Sequence, residues 1–437
     1  MTFMNITDRK ISPPVRPFLP FELEKPSVDY LSNGLPVYFF ANDHLDLIHF
    51  ALRVRAGSFF EKQKFTANCA YNLLMESAKG CSSCDVEDFL DYYGSNFNVG
   101  VSLEYITINF IIPKANCGKV IPFIYDFLTH PEYKEENLSY YKQRRIKDLE
   151  YNMLKVGYRS QQWMNHLLIN PDIPAGKMLT REDIENVNIG QITAYHHDTF
   201  CAENLSLYIA GNLGQEELSQ IRDVFSRIPG KRSSVLPDLI PSNNTKGELV
   251  LEKWPDSVQS SLVIARRLFG YRHQDRRDFN VLSTILGGYF GSRLMQNLRE
   301  KNGYTYGVYN YFNYFADESI FYIETDVNVE RTGDALSACK EEMIKLMENA
   351  VGDEELHNVK NYMTGSLLRR LDGSVDYMKT YMLWNASGID EKELAAMMDT
   401  IRRITPERIR ELAVGYLNPD DFVTIVVGDI PGRDTKD

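Results

Sequence analysis

The feature that most constrains the fold of this chain is an order of segments that occurs twice. The first half closes on the apolar stretch SLYIAGN at 206–212, and the second half closes on FVTIVVGD at 422–429. Apolar runs of this length, rich in β-branched residues, predict buried strands. Before each of them the sequence reads as strands interleaved with helices, so we predict two copies of one module.

The spacing of apolar and polar residues places the other elements. Asn33-Gly34 separates two short apolar runs at 28–41 and predicts a hairpin with a two-residue turn. Thr66 as N-cap and Gly80 as a C-terminal stop delimit a predicted helix at 66–80. The first half further predicts a strand at 47–57, a helix at 84–93, strands at 96–113 and helices at 117–130, 134–155 and 159–169. The second half predicts a strand at 259–267, helices at about 276–286 and 292–300, strands through 305–327 and helices at 333–349 and 353–371.

The region between the halves has the composition of a linker. Residues 227–248 concentrate proline, glycine, serine and asparagine between two periodic regions. The predicted class is α+β, with two similar domains that each hold a mixed or largely antiparallel sheet covered by helices. The predicted division is an N-terminal lead-in at 1–24, a first domain at 25–228, a linker at 229–248 and a second domain at 249–437.

Charge and cysteine content limit the partners and the location of the chain. The 48 Lys and Arg residues against 60 Asp and Glu give a net charge of −12, which argues against a nucleic acid partner. Six cysteines in 437 residues are too few for a disulfide framework. Charges and prolines interrupt the N-terminal segment, and no apolar run reaches the ~18 residues of a membrane span. We therefore expect a cytoplasmic protein with no membrane partner.

Five short segments form a recognisable series along residues 25–430. They are NGLPVYFF, RAGSFFE, a helix ending in AKG, GSNFNVGVSLEYITINF and LGGYFGSRLMQNLREKNGYTYGV. In order and spacing, the series resembles the inverted-zincin metallopeptidases of the insulinase, pitrilysin and mitochondrial processing peptidase family. The resemblance implies two homologous α+β domains with the fold of LuxS and processing-peptidase-like metallopeptidases, in agreement with the repeat inferred from the pattern alone.

The resemblance also implies a zinc motif, which this chain lacks. In the family a helix carries His-x-x-Glu-His, whose two histidines bind Zn²⁺ while the glutamate activates the metal-bound water. Counted back from the AKG segment, the matching positions are Tyr71, Asn72, Leu73, Leu74 and Met75. Both histidine ligands and the base are absent, so we expect no catalytic residue and no metal on this chain.

Packing accounts for the same segment. Apolar residues recur along the predicted helix at the spacing of a core-facing stripe. They are Ala67, Ala70, Tyr71, Leu74, Met75 and Ala78. We therefore predict that the degenerate motif positions lie in the protein core.

The family's third zinc ligand is a glutamate on a later helix. Within the stretch at 139–152 the best match is Glu150, which is then a remnant of the ligand set. A solvated glutamate on a charged helix face is the alternative interpretation. A single carboxylate holds zinc poorly, so the solvated surface glutamate is the favoured interpretation.

Two residues of the second half match the family's substrate-contacting pair. Arg299 and Tyr306 lie seven residues apart in LREKNGYTYG. In the family the arginine and the tyrosine contact the peptide beside the zinc, where an Arg can fork onto a carbonyl and a Tyr hydroxyl can stabilise an oxyanion. The alternative is that Arg299 pairs with a neighbouring acid and Tyr306 packs.

The asymmetry between the halves gives the leading hypothesis. A chain without the zinc motif but with the Arg and Tyr pair resembles the non-catalytic subunit of a heterodimeric zinc endopeptidase that acts on unfolded peptides. Its zinc is then expected on a homologous partner subunit of similar size, and the isolated chain could be a homodimer. Two alternatives remain: a non-proteolytic assembly scaffold of the same family, and an independent zinc protease with a substituted site.

Overall fold

Two β-sheets form the framework of the molecule. The computed structural model describes residues 23–42, 44, 46–80, 83–231, 245–315 and 318–429. Strands of the first half build a six-stranded sheet, strands of the second half build a five-stranded sheet, and helices pack on both. The predicted α+β class with mixed sheets is confirmed.

The first sheet belongs entirely to the first half of the chain. Its strands are β1 (Ser27–Tyr30), β2 (Pro36–Ala41), β3 (Leu47–Val54), β4 (Asn96–Val101), β5 (Ile106–Pro113) and β6 (Leu205–Gly211). They lie in the order β1-β2-β6-β3-β5-β4, in which β6 runs parallel to β2 and antiparallel to β3. The helices of this half are α1 (Thr66–Asn72), α2 (Ser83–Tyr92), α3 (Cys117–Thr129), α4 (Glu135–Met153), α5 (Val156–Leu168), α6 (Arg181–Asn186), α7 (Ile189–Thr199) and α8 (Gln215–Phe225).

The second sheet belongs entirely to the second half. Its strands are β7 (Leu249–Lys253), β8 (Gln259–Phe269), β9 (Val308–Phe315), β10 (Glu318–Asn328) and β11 (Val423–Gly428). They lie in the order β7-β11-β8-β10-β9, in which β11 runs parallel to β7 and antiparallel to β8. The helices are α9 (Arg276–Ser283), α10 (Thr332–Glu348), α11 (Asp353–Arg369), α12 (Ser374–Ala386), α13 (Glu393–Arg403) and α14 (Pro406–Tyr416). Two π-helical segments, Thr284–Gly288 and Met295–Lys301, lie between α9 and β9.

The two sheets repeat one topology. Without β1, the first sheet reads β2-β6-β3-β5-β4, which matches β7-β11-β8-β10-β9 strand for strand and in strand direction. In both, the last strand of the half inserts beside the first strand of the shared order. These closing strands are the two apolar segments at 206–212 and 422–429. The inner strand β11 is covered on both faces, since every one of its residues is buried.

Each half also covers the sheet of the other. Helix α5 of the first half packs on β8 and β11, where Met164 and Leu168 share one apolar core with Val263 and Ile425. In return, α12 of the second half packs on β2 and β6 of the first sheet. Because each sheet buries one face against a helix from the other half, the halves stabilise one another.

The hairpin at 28–41 forms, but with a longer turn than predicted. Residues 31–35 connect β1 to β2, and Gly34 adopts a φ of +87°, which favours glycine. The Asn33 side chain does not stay within the turn: its Nδ2 donates to the carbonyl oxygens of Phe225 and Ile228, both at 2.9 Å. Contacts with a distant segment therefore set the turn.

The predicted domain limits fall largely outside the described residues. The lead-in at 1–24 is described only from residue 23 and the linker at 229–248 only at its two ends. The division into domains therefore stays a prediction. Among the described helices, none is both long and apolar enough to cross a bilayer.

Candidate functional site

The start of α1 is held by a buried carboxylate. Glu61 accepts hydrogen bonds from the backbone N–H groups of Phe65 (3.2 Å) and Ala67 (3.0 Å). Phe65, the residue before the helix, has a left-handed φ of 77°. Thr66 was expected to be the N-cap, but its hydroxyl donates to the Gln63 carbonyl instead. Burial raises the pKa of Glu61 to about 7, although the two backbone N–H groups oppose that shift.

The prediction of a helix through residue 80 is wrong. The α-helix ends at Asn72, and a single 3₁₀ turn at Met75–Ser77 follows. The Leu74 carbonyl oxygen accepts hydrogen bonds from the Ser77 backbone N–H at 3.1 Å and from the Ser77 hydroxyl at 2.7 Å, which closes the 3₁₀ turn. Positions 71 and 75, which carry the two zinc ligands in the family motif, therefore do not lie on one continuous α-helical face.

Tyr71 is a buried structural residue. Its hydroxyl lies 2.8 Å from Thr199 Oγ1 on α7, and that threonine donates its own proton to the Tyr195 carbonyl oxygen at 2.7 Å. Tyr71 must therefore be the donor to Thr199. Burial raises the pKa of Tyr71 above its usual value, so the side chain stays neutral.

The other motif positions are part of the first core. Leu74 is fully buried, and the partly buried Met75 packs against the same cluster. The residues present do not fit a zinc ion, because these positions supply a thioether and an alkyl group and the Tyr71 hydroxyl is already hydrogen-bonded. Among the described residues, no group of three or more His, Cys, Asp and Glu side chains is arranged to hold a metal.

Glu150 lies on the solvent side of α4. Its Oε1 is 3.3 Å from Arg181 Nη1, and both side chains are more than half exposed. Its neighbour Leu149 belongs to the buried core. The structure therefore places this carboxylate in a surface ion pair, and it does not bring Glu150 together with a second ligand.

The glycine-rich turn of the second half allows close packing between the first π-helical segment and β9. A Cβ atom on Gly287 would lie 2.9 Å from Leu294 Cδ1 and 3.1 Å from the Asn310 backbone nitrogen. Only glycine fits such an approach without displacing a neighbour. The segment at 292–300, predicted as an α-helix, forms the second π-helical segment instead, and it carries Arg299.

Arg299 is held beside the glycine-rich turn. Its guanidinium carbon lies 4.8 Å from the centre of the Phe290 ring, and its Nε is 3.5 Å from Glu300 Oε1. The side chain remains 37% exposed. The alternative of pairing with a neighbouring acid is thus seen for Arg299, while the guanidinium still faces solvent. The sequence reasoning missed Phe290, although an aromatic side chain inside a glycine turn is an unusual signal.

Tyr306 lies on a loop that hydrogen bonds hold in place on both sides. The Thr305 hydroxyl donates to the Asp326 carbonyl oxygen at 2.8 Å, and the Thr325 hydroxyl donates to the Gly307 carbonyl oxygen at 2.9 Å. These bonds fix the backbone on both sides of Tyr306, whose side chain is 92% exposed. Within the described part of the chain its hydroxyl has no hydrogen-bond partner, so packing does not explain this residue.

Comparison with known proteins shows which family model and which solved structure this chain is similar to. A family model described as the peptidase M16 inactive domain matches residues 186–363. A crystal structure of a peptidase M16 inactive domain from Pseudomonas fluorescens superposes with a TM-score of 0.86 at 19% identity, covering 95% of this chain and 100% of that one. The fold of the two proteins is therefore the same.

Curated relatives of similar length carry related names. An uncharacterised zinc protease of Streptomyces coelicolor is 21% identical over 368 residues, which cover 81% of this chain and 79% of that protein. The non-peptidase homolog YmxG of Helicobacter pylori is 21% identical over 404 residues, covering 90% and 92%. The resemblance to the insulinase, pitrilysin and processing peptidase family is confirmed, since both the matching family model and the curated relatives belong to peptidase M16 or zinc protease proteins that this chain is similar to.

Proposed function

We propose that this chain is the non-catalytic, substrate-binding subunit of a heterodimeric zinc metalloendopeptidase that acts on peptides and unfolded chains. The observation that carries the proposal is the 92% exposure of Tyr306 on a loop whose backbone is pinned on both sides. An exposed hydroxyl on a fixed backbone is preorganised for a ligand. The buried positions Tyr71 and Leu74, by contrast, offer nothing to a substrate.

Arg299 and Tyr306 have separate roles in this proposal. The guanidinium of Arg299, supported by the Phe290 ring, binds a backbone carbonyl of the peptide. The hydroxyl of Tyr306 donates to the oxyanion that develops when water attacks the scissile carbonyl. Neither group generates the nucleophile, so catalysis requires a second subunit.

The partner is a homologous chain of similar size with an intact His-x-x-Glu-His motif and bound zinc. Relatives named as zinc proteases support peptide hydrolysis as the chemistry of the complex. Within this proposal the two repeated sheets are the two peptidase-like domains, at 25–228 and 249–437, and the complex works in the cytoplasm. Limited proteolysis that cuts first within 229–248 would support the division.

The decisive experiment isolates the native complex through an affinity tag on this chain. We expect mass spectrometry to identify a chain with His-x-x-Glu-His, elemental analysis to find zinc in the complex, and a chelator to abolish its peptidase activity. The isolated chain serves as the control and should hold no stoichiometric zinc and cleave no peptide. One zinc per isolated chain, with chelator-sensitive activity, would contradict the proposal and support an independent protease.

An assembly scaffold is the second candidate function. The name of the Helicobacter pylori relative, a non-peptidase homolog, favours it. In that case the isolated complex contains no chain with the zinc motif, or the isolated chain is a homodimer without peptidase activity. The same purification therefore separates the two candidates.

A further inference from the structure

A cavity of about 320 Å³ lies within the second half of the molecule. Its walls come from α9, the first π-helical segment, the strand β9 and the helices α11, α12 and α13. Every lining residue falls between positions 271 and 401, so the first half does not contribute to it. The volume is near the lower end of the ~300–1,000 Å³ of ordinary small-ligand sites, so the cavity suits a small molecule rather than a segment of polypeptide.

Three charged side chains line this cavity, and two of them neutralise each other. Glu393 is buried, with one carboxylate oxygen bound by the lining residue Arg276 and the other by Arg277 at 2.7 Å. The third charged residue, Arg370, directly follows α11 and is exposed. Its side chain makes no hydrogen bond or ion pair with a described residue. The wall therefore carries one positive charge without a counter-ion and no free negative charge.

Two neutral hydrogen-bonding groups on the wall are also open to a ligand. The side chains of Asn280 on α9 and Ser366 on α11 make no hydrogen bond with a described residue, and their polar atoms are not among the fully buried ones. Ser366 lies four residues before Arg370, so the two side chains are neighbours along α11. Because α9 packs against α11, Asn280 lines the same space as this pair.

Aromatic and aliphatic side chains form much of the remaining wall. They include Phe312 on β9, Tyr362 and Leu367 on α11, Trp384 on α12 and Met397 on α13. A wall of this kind with a few polar groups is the usual composition of a site that orients an organic ligand. The apolar surface favours a ligand with a ring, while the single free cation favours one negative charge on that ligand.

We propose that this cavity binds a small aromatic carboxylic acid in its ionised form. The Arg370 guanidinium binds the carboxylate, to which the Ser366 hydroxyl and the Asn280 amide also donate. The ring of the ligand packs on the aromatic part of the wall. The site uses neither Arg299 nor Tyr306 and needs no partner subunit, so it stands independently of the function proposed above.

Isothermal titration calorimetry of the purified full chain with 3-phenylpropionate tests the proposal. We expect saturable binding of one molecule of the acid per chain. The uncharged amide of the same acid, 3-phenylpropionamide, should bind about 10- to 100-fold more weakly, because it lacks the charge-assisted hydrogen bonds to the guanidinium. Equal binding of the acid and the amide, or no binding of the acid at millimolar concentration, would overturn the proposal.

Two variants and one control locate the site. Arg370→Gln should lower the affinity for the acid by about 10- to 100-fold and leave that for the amide unchanged, and Ser366→Phe should fill part of the cavity and weaken binding of both. Arg369→Gln is the matched control, because Arg369 is the exposed neighbour of Arg370 and is not part of the wall. An equal loss in Arg369→Gln would contradict the proposed site. Should Arg370→Gln not fold, unchanged binding by Ser366→Phe would by itself contradict it.

Discussion

The two halves share a strand order, but the segments that follow the second shared strand, β3 in the first half and β8 in the second, differ in where their motif residues lie. In the first half, α1 and the residues that follow it hold Tyr71 and Leu74 inside the core. In the second half, the π-helical segments also pack into the core, through Leu286 and Leu298, but the segment ends at the exposed Tyr306. One sheet topology therefore supports either buried motif positions or an exposed tyrosine.

The carboxylates at the starts of the two segments also differ, both in their hydrogen-bond partners and in the direction of their pKa shift. Glu61 precedes α1 in a buried site, and desolvation raises its pKa. Asp275 precedes α9, and although burial alone would raise its pKa, hydrogen bonds from Tyr416 and Arg408 on α14 lower it. The first carboxylate binds backbone N–H groups, whereas the second binds the side chains of a distant helix.

The largest difference in stability between the two segments is expected when a carboxylate is introduced into each of them. Leu74→Glu should lower the free energy of unfolding by about 3–5 kcal/mol, as is typical of an uncompensated buried charge. The matched change at the exposed site, Tyr306→Glu, should alter it by no more than about 0.5 kcal/mol. Urea unfolding of the two variants measures both values. Similar losses would show that the two segments are not packed differently.

The next effect concerns catalysis by the proposed complex. Tyr306→Phe should lower kcat by about 10²–10³, because it removes a preorganised donor to the oxyanion, whereas Arg299→Ala should also raise KM. Tyr311→Phe is the control, since Tyr311 is an exposed tyrosine on β9 of the same half. Steady-state peptide hydrolysis, with size-exclusion chromatography to verify assembly, gives the result. Wild-type rates in the intact Tyr306→Phe complex would favour the scaffold.

The pH dependence of stability should have opposite signs for the two carboxylates. Burial raises the pKa of Glu61 from its usual value of 4.5 to about 7 in the folded chain, so its stabilising contribution is complete below about pH 4.5 and lost by about pH 7. Glu61→Gln should remove this decline, a change of about 1–3 kcal/mol. Asp275 has a lowered pKa, so its contribution is present above the usual Asp pKa of 3.8 and lost as the pH falls.

Denaturant midpoints measured from pH 3 to pH 8 test whether the stability contributions of Glu61 and Asp275 depend on pH in opposite ways. Asp275→Asn should be less stable than the wild type at pH 7 and approach it in acid. Glu61→Gln should lack the wild type's loss of stability between about pH 4.5 and pH 7, so the two proteins should differ most at neutral pH, with the variant the more stable of the two relative to their difference in acid. Parallel curves for the wild type and Glu61→Gln would mean that the buried carboxylate does not titrate in this range.

The smallest effect is expected at the first degenerate motif position. Tyr71→Phe removes one hydrogen bond but leaves the Thr199 hydroxyl bonded to the Tyr195 carbonyl oxygen, so the cost should be about 0.5–1.5 kcal/mol. Tyr92→Phe, at an 82% exposed tyrosine, should change nothing measurable. A loss of unfolding free energy well above that range in Tyr71→Phe would indicate that the hydroxyl stabilises the core by more than its one hydrogen bond.

Local patterns predicted many elements but not their ends. Strands predicted at 96–113 form as β4 and β5, and the helix predicted at 134–155 forms as α4. The end of α1 at Asn72 was missed because apolar residues continue at a helical spacing, and the same residues also suit a buried 3₁₀ turn. Nothing in the local pattern of α12 indicates that it packs on the sheet of the other half.

The sequence alone determined which chemical groups are available. Side-chain identity excludes an imidazole or carboxylate at positions 71, 74 and 75 and supplies a guanidinium and a phenol at 299 and 306. Only the tertiary structure decided their surroundings, because burial depends on segments that are distant along the chain. Thr199 meets Tyr71 across 128 residues, and α12 of the second half packs on β2 and β6 of the first. Long-range packing therefore makes one tyrosine a core residue and leaves another exposed to a ligand.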